Sequence, residues 1–141
     1  MAITSAIATS FKQQILVEGH NLTNGADSIK LALYTSSATL GAGTTVFVTT
    51  GQASGTNYSS GGSALTNVTP ALSGTTAVCD FADLTFGTAT VTARGCLIYN
   101  STNGNKALCA IDFGGDKTST AGDFTVVFPS ATATGAIIRL A

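Results

Sequence analysis

The side chains that could do chemistry are few and widely spaced in this 141-residue sequence. His20 is the only histidine, and it directly follows Gly19. A catalytic triad or a histidine-based metal site needs partner residues at a suitable distance, and no local motif supplies them. The favoured interpretation of His20 is a residue at the end of a helix or in a loop.

Two groups of aspartates could bind a cation or form an acid–base pair. Asp112, Asp116 and Asp123 flank a glycine-rich stretch, and Asp80 lies near Asp83. Calcium takes six to eight oxygen ligands, and glycoside hydrolysis uses two carboxyl groups. The spacing fits no calcium loop, however, and aspartate beside glycine is ordinary in turns. We therefore predict no catalytic residue, no metal site and no cofactor, and we expect a protein that is not an enzyme.

The three cysteines are odd in number and far apart. Cys79, Cys96 and Cys109 each lie within an apolar run, and they do not form the closely spaced pairs typical of zinc sites. Free cysteine behaves as a small buried hydrophobic residue. The sequence therefore favours three buried thiols over a disulfide or a reactive thiol.

Arg94 is the one charge in the otherwise uncharged segment 91–99. A charge within a strand must be paired or lie on the solvated face. Asp80, Asp83 and Asp112 are the candidate partners. Two interpretations stay open: an ordinary surface charge, or an ion pair that orients a contact between subunits.

The composition excludes several classes of protein. Only 9% of residues are charged, against about 25% in typical soluble domains, and Ala, Gly, Ser and Thr make up 74 of the 141 residues. A net charge of −1 gives no basic surface for nucleic acid. A hydrophobic content of 44% argues against disorder. We find no apolar run long enough for a membrane span and no basic start of a secretory signal. So low a charge favours a surface that packs against other protein. The alternative is a compact all-β protein with an unusually hydroxyl-rich surface.

The hydrophobic spacing changes along the chain. Ile3, Ile7, Phe11 and Ile15 recur every four residues and predict a helix over residues 3–18. From Ile29 onward the period is two, which predicts strands. The predicted strands cover residues 29–35, 44–50, 64–69, 75–81, 91–100, 106–113, 124–128 and 136–140. Residues 51–63 are predicted to be a long loop, serving as a contact arm or exposed tip, and residues 114–116 a second loop.

These elements predict a mainly β fold, a single β-sandwich or jelly-roll-like domain with one N-terminal α-helix. We expect one domain over residues 1–141, with the helix in residues 1–19 and the β-sandwich in residues 20–141. The apolar side chains Ile3, Ile7 and Phe11 and the charged Arg94 are the candidate interface residues.

Three segments resemble small virion structural proteins of tailed bacteriophages. They are MAITSAIATSFKQQIL at residues 1–16, IKLALYTSSATL at residues 29–40, and TVTARGCLIYN at residues 90–100, followed by NKA at residues 105–107. The resemblance implies a β-rich, multi-copy protein that is either a head decoration (cement) protein or a tail or neck component. Of these we favour the capsid decoration protein, which stabilises the phage head through protein–protein contacts. Its implied partners are the major capsid protein or other virion proteins and further copies of itself, with no nucleic acid and no membrane. Its implied location is the virion, assembled in the host cytoplasm.

Two other functions stay open at this point. The protein could be a tail, neck or fibre component of the particle, which its copy number would distinguish from a decoration protein. It could also be a carbohydrate-binding module, although the sequence has no Trp and only three Tyr to stack on sugars.

Overall fold

The computed structural model describes residues 2–141. Within that range the chain forms nine β-strands and one short α-helix, which confirms a mainly β fold with a single N-terminal helix. The bounds are β1 Ala6–Ile7, α1 Thr9–Gln14 followed by a 3₁₀ turn Ile15–Val17, β2 Ile29–Tyr34, β3 Gly55–Thr56, β4 Ser63–Ala64, β5 Asn67–Ser73, β6 Thr76–Phe81, β7 Leu84–Asn100, β8 Lys106–Val126 and β9 Ile138–Leu140.

The strands form two antiparallel sheets that share one core. The larger sheet has the order β1-β8-β7-β2-β4, with β3 also paired to β7, and the smaller sheet has the order β5-β6-β9. Cys79 and Phe81 of the smaller sheet lie in the same apolar cluster as Leu33 and Leu97 of the larger one. This arrangement is the predicted β-sandwich-like fold.

Strand β2 lies between β7 and β4 in the larger sheet. Its sequence suggested one apolar face, formed by Ile29, Leu31 and Leu33. Ala32 and Tyr34 on the opposite face are also fully buried. The Tyr34 hydroxyl donates to the Val48 carbonyl at 2.5 Å, so this large polar side chain is hydrogen-bonded within the packed region.

The predicted hairpin between residues 91–100 and 106–113 is confirmed and is much longer than expected. Its register runs from Asn100 opposite Lys106 out to Leu84 opposite Val126. In the connecting turn, Gly104 and Asn105 have φ angles of 61° and 56°. Glycine and asparagine are the residues that tolerate this left-handed backbone best.

The glycine pair at residues 114–115 does not end a strand, contrary to expectation. The register instead passes from Ala93 opposite Lys117 to Gly95 opposite Asp112. Residues 113–116 therefore bulge opposite the single residue Arg94. Gly114 has a φ of 80°, which allows the bulge to form without ending β8.

The predicted helix over residues 3–18 is wrong in its first half. Ile3 forms a parallel bridge with Leu40, and Ala6–Ile7 pair with β8 at Ala110 and Cys109. The edge of β8 supplies hydrogen-bond partners there, while a helix of this length is marginal on its own. The helix consequently begins only at Thr9. It ends before Gly19, whose N–H donates to the Gln14 carbonyl at 2.7 Å.

The segments 44–50 and 51–63 also differ from expectation. Residues 44–50 make a single bridge, Val46 to Lys106, instead of a strand. Phe47 there stacks on Tyr99 with 4.7 Å between ring centroids, so packing against the hairpin replaces strand pairing. Residues 51–63 are not a free arm. They contain β3, and their Ala53 and Tyr58 are buried in the core.

Candidate functional site

Arg94 and Asp112 form an ion pair beside the bulge. The Arg94 Nε donates to Asp112 Oδ1 at 3.0 Å, and the Gly114 N–H donates to the same oxygen at 3.0 Å. These two hydrogen bonds hold the pKa of Asp112 below its ordinary value. The bond from the Gly114 N–H has the larger effect, and the bond from Arg94 has the second largest. Of the three candidate partners for Arg94, the structure selects Asp112. Both side chains remain partly exposed, as is usual for a surface pair.

A groove of about 540 Å³ lies next to this bulge. Phe113 and Phe124 line it with ring centroids 6.3 Å apart, together with Phe128. Lys117 and Asp123 are the charged lining residues. Among residues 2–141, β8 pairs on this side only with β1, at Cys109 and Ala110. The groove could therefore accept an apolar group or an extended polypeptide.

The remaining aspartates do not converge on one point. Asp123 Oδ1 accepts the Thr88 N–H at 3.1 Å, and Asp83 Oδ1 accepts the Phe128 N–H at 2.8 Å. Asp80 is buried, and this burial raises its pKa. No group of three or more His, Cys, Asp or Glu side chains within residues 2–141 is arranged to hold a metal ion.

His20 follows α1 and its 3₁₀ turn, which end at Val17. It therefore lies at the end of the helical segment, as the sequence predicted. Its ring is 4.9 Å from that of Phe11, and both ring nitrogens lie within hydrogen-bonding distance of an amide side chain, those of Gln14 and Asn100. The histidine thus joins the N-terminal segment to the hairpin.

All three cysteines are buried and free, as the sequence predicted. Burial raises the pKa of Cys79 to about 11 and that of Cys109 to about 12. Thiols with such pKa values are protonated at neutral pH and are poor nucleophiles.

Two of the candidate interface residues, Ile3 and Phe11, are buried in the hydrophobic core of the chain itself. Ile3 and Phe11 are only 7% and 2% exposed, and Ile7 is half-buried against the same cluster. Their role in a contact between subunits stays a prediction, but this fold presents little of their surface to a partner. The Arg94 side chain is partly exposed on the larger sheet.

The sequence patterns do not reveal which large apolar side chains are exposed on the folded protein. Leu72 lies opposite Ala77, and Ala77 lies opposite Leu140, so these three form one row across the smaller sheet. Leu72 and Leu140 are 77% and 52% exposed. The position of Leu72 just before the Ser73-Gly74 turn could have suggested a strand end. The full set of exposed large aliphatic residues among those described is Leu16, Val17, Val46, Val48, Val68, Leu72, Val127 and Leu140.

The outer half of the hairpin carries exposed pairs of threonine hydroxyl groups. Thr85 lies within 2.9 Å of Thr125 across the strands, measured between their hydroxyl oxygens, and Thr92 lies within 2.8 Å of Thr118. All four side chains are exposed. Cross-strand threonine pairs stabilise the hairpin and leave a polar but neutral surface.

Comparisons with protein-family models, with curated proteins and with solved structures give no match to this chain. No helix in the described part of the chain has both the length and the apolar character needed to cross a membrane.

Proposed function

We propose that this protein is a structural component of a bacteriophage particle and that it decorates the outside of the head as a cement protein. Its role is to bind capsid subunits and further copies of itself, and to stabilise the shell through protein–protein contacts. Its location is then the virion.

The observation that carries this proposal is the character of the surface. Thirteen charged side chains share 6763 Å² of accessible surface, about one per 500 Å². The same surface exposes large aliphatic side chains such as Leu16, Leu72 and Val127. Sparse charge with exposed apolar groups is typical of a protein that is covered by neighbours in an assembly.

The resemblance of residues 1–16, 29–40 and 90–100 to phage virion proteins supports the same function. In the fold, these segments form the N-terminal segment and two neighbouring strands of the larger sheet, β2 and β7. They are therefore part of the scaffold, and the resemblance supports the class of protein without naming a contact surface.

Copy number in purified particles tests the proposal directly. A decoration protein covers the whole shell, so quantitative mass spectrometry should find hundreds of copies per particle, as the symmetry of a shell requires. About 6 to 60 copies would instead indicate a ring or knob in the tail or neck. Absence of the chain from purified particles would overturn the structural role.

Reconstitution provides the second part of the test. Heads lacking the protein are mixed with the purified chain, separated by sedimentation, and heated. Saturable binding with a higher temperature of head disruption is expected, because each bound copy buries apolar surface at the shell. Binding without stabilisation would argue against a cement role, and tail-only binding would support the tail alternative.

A further inference from the structure

His20 occupies a junction between the N-terminal segment and the hairpin. Its Nε2 lies 2.8 Å from Gln14 Oε1 on α1. Its Nδ1 lies 3.1 Å from Nδ2 of Asn100, the last residue of β7. The neighbouring Gly19 carbonyl accepts a hydrogen bond from the side-chain amide of Asn103 in the turn. The adjacent residues Gly19 and His20 thus attach the end of the N-terminal segment to the turn between β7 and β8.

The protonation state of His20 follows from its partners. Asn100 is completely buried. Its Oδ1 accepts the N–H groups of Thr102 and Asn103, and its Nδ2 also donates to Asp27 Oδ2 at 2.7 Å. The orientation of this amide is therefore fixed, with its NH₂ group toward the imidazole. An NH₂ group only donates, so His20 Nδ1 must accept, and the ring proton lies on Nε2, which donates to Gln14.

The surroundings also favour the neutral ring. Burial lowers the pKa of His20 from the ordinary value of 6.5, and Lys106 at the start of β8 lowers it further, while Asp27 opposes them. The other ionisable groups on the adjoining elements are Lys12 and Glu18 on its own segment and the buried thiol of Cys79 in β6, which lines a small apolar pocket together with His20. α1 contributes the uncharged Phe11 and Gln14, and β7 contributes the uncharged Asn100.

We propose that His20 is a pH-sensitive latch that holds the N-terminal segment, residues 2–18, against the β7–β8 hairpin and releases it in mild acid. A proton added to Nδ1 faces the NH₂ group of Asn100, so the hydrogen bond becomes a contact between two donors. The hairpin cannot adapt, because the Asn100 amide is held by three other hydrogen bonds. This inference is independent of the proposed function.

Release has a defined structural consequence. The segment covers the edge of β8 through Ala6 and Ile7, and it buries Ile3 and Phe11 in the core. Opening therefore uncovers both an unpaired strand edge and an apolar surface. These are the two features through which a segment can pair with another chain.

The direction of the pH effect follows from the lowered pKa. Above pH 6.5 the ring is neutral in both the closed and the open forms. As the pH falls below 6.5, the open form takes up the proton first, so opening becomes more favourable by at most about tenfold per pH unit. Below the pKa of the closed form, both forms are protonated and the effect reaches its limit.

Hydrogen exchange of the full chain tests the latch. Protection factors, corrected for intrinsic exchange, are measured between about pH 7.5 and about pH 5. We expect a several-fold loss of protection in residues 6–17, with no change in β2, which is largely buried and lies between β7 and β4 in the larger sheet. Equal loss in β2 would indicate general acid destabilisation and overturn the proposal. Constant protection in residues 6–17 would overturn it as well.

Two variants and one spectroscopic measurement make the test specific. In His20→Gln the pH dependence of residues 6–17 should disappear, and its persistence would refute the latch. In Gln14→Glu the acceptor is retained and a carboxylate is added beside the ring, so release should shift to lower pH.

Because either variant could fold poorly, ¹⁵N chemical shifts of the wild-type imidazole give an independent readout. They should show the proton on Nε2, and a proton on Nδ1 at neutral pH would contradict the inference.

Discussion

Arg94 Nε donates to Asp112 Oδ1 at 3.0 Å across the β7–β8 pair, at the residue where the four-residue bulge 113–116 leaves the ladder. The same carboxylate oxygen accepts the Gly114 N–H. One oxygen thus ties the base of the bulge to the opposite strand, and the bulge places Phe113 beside Phe124 in the groove.

Replacing Arg94 with Ala should loosen the bulge locally. We expect several-fold faster amide exchange in residues 113–116, with little change in the denaturation midpoint, because partly exposed ion pairs contribute little to global stability. The Lys117→Ala variant is the control, since Lys117 is exposed on β8 directly after the bulge and is not part of this pair. Equal exchange in the two variants would show that the pair does not hold the bulge.

Acid should weaken the same contact in the wild-type protein. The pKa of Asp112 is lowered from 3.8 in the folded chain, so the pair is fully formed above that pH and is lost as the pH falls through the lowered pKa. NMR titration of the Asp112 carboxyl should show a midpoint below 3.8, and that midpoint should rise in Arg94→Ala. An unchanged midpoint in the variant would show that Arg94 does not lower the pKa of Asp112 and that the Gly114 N–H alone does so.

Replacing Tyr58 with Phe should destabilise the fold. The Tyr58 hydroxyl oxygen accepts the buried Leu33 N–H at 2.8 Å and lies 3.2 Å from Gln52 Oε1. Loss of this oxygen leaves a buried donor unpaired, at a cost of about 1–3 kcal/mol in the free energy of unfolding. Urea denaturation measures the change, with the exposed Ser59→Ala as the control. A loss no larger than that of the control would refute this role for the hydroxyl.

Burial raises the pKa of Tyr58 to about 12, compared with 10.0 in an exposed tyrosine. The unfolded chain therefore ionises first, and we expect stability to fall as the pH rises from about 10 to about 12. Absorbance of the phenolate follows this ionisation. In Tyr58→Phe the contribution of this group to the alkaline loss should vanish.

The three thiols should not react while the chain is folded. Cys96 is fully buried, and Cys79 and Cys109 are at most 5% exposed, with raised pKa values. We expect negligible labelling by a thiol reagent at neutral pH and complete labelling of three thiols in denaturant. A Ser59→Cys variant, which introduces an exposed thiol, shows that the reagent is active. Rapid labelling of the wild-type chain would contradict the burial.

The row Leu72–Ala77–Leu140 should contribute to capsid binding. Exchanging Leu72 and Leu140 for Ser should leave stability within about 0.5 kcal/mol for each exposed residue but reduce incorporation into heads several-fold, because the apolar contact area is lost. Val127→Ser gives the comparison, since Val127 is 72% exposed but lies beyond the end of β8 and outside this row. Its effect on incorporation shows whether binding depends on this row or on exposed aliphatic side chains elsewhere. Full incorporation of the double variant would exclude this row as a contact surface.

Local sequence patterns predicted the elements whose own spacing agrees with the fold. Alternation predicted β2, although its partners β4 and β7 are distant in the chain, and the Asn-Gly turn predicted the β7–β8 hairpin. The patterns failed where pairing with a distant strand overrides the local spacing. Ile3 and Ile7 have helical spacing, but they lie extended because Leu40 and the edge of β8 offer them backbone pairing. No local signal contains that information.

The candidate sites also depend on contacts between residues that are distant in the sequence. The environment of His20 was predictable only as a helix end, because its partner Asn100 lies on a distant strand. The aspartate partner of Arg94 was left open between three residues, since the register of the bulge decides it. The exposed row across the smaller sheet depends on β9, whose pairing with β6 only the folded chain reveals.

The pairing of Ala6 with Ala110 also has a consequence for how the chain is made. When residues 2–18 leave the ribosome, their partner strand has not yet been synthesised, whereas the β7–β8 hairpin can close as soon as both strands emerge. We expect the N-terminal segment to dock last, which pulse-labelled hydrogen exchange during refolding would show as late protection of residues 6–17. Until β8 has been made, the pairing of β1 and the packing of α1 against β8 cannot form, so the apolar side chain of Phe11 is exposed in the nascent chain. Exposed apolar surface of this kind makes a nascent chain prone to aggregation.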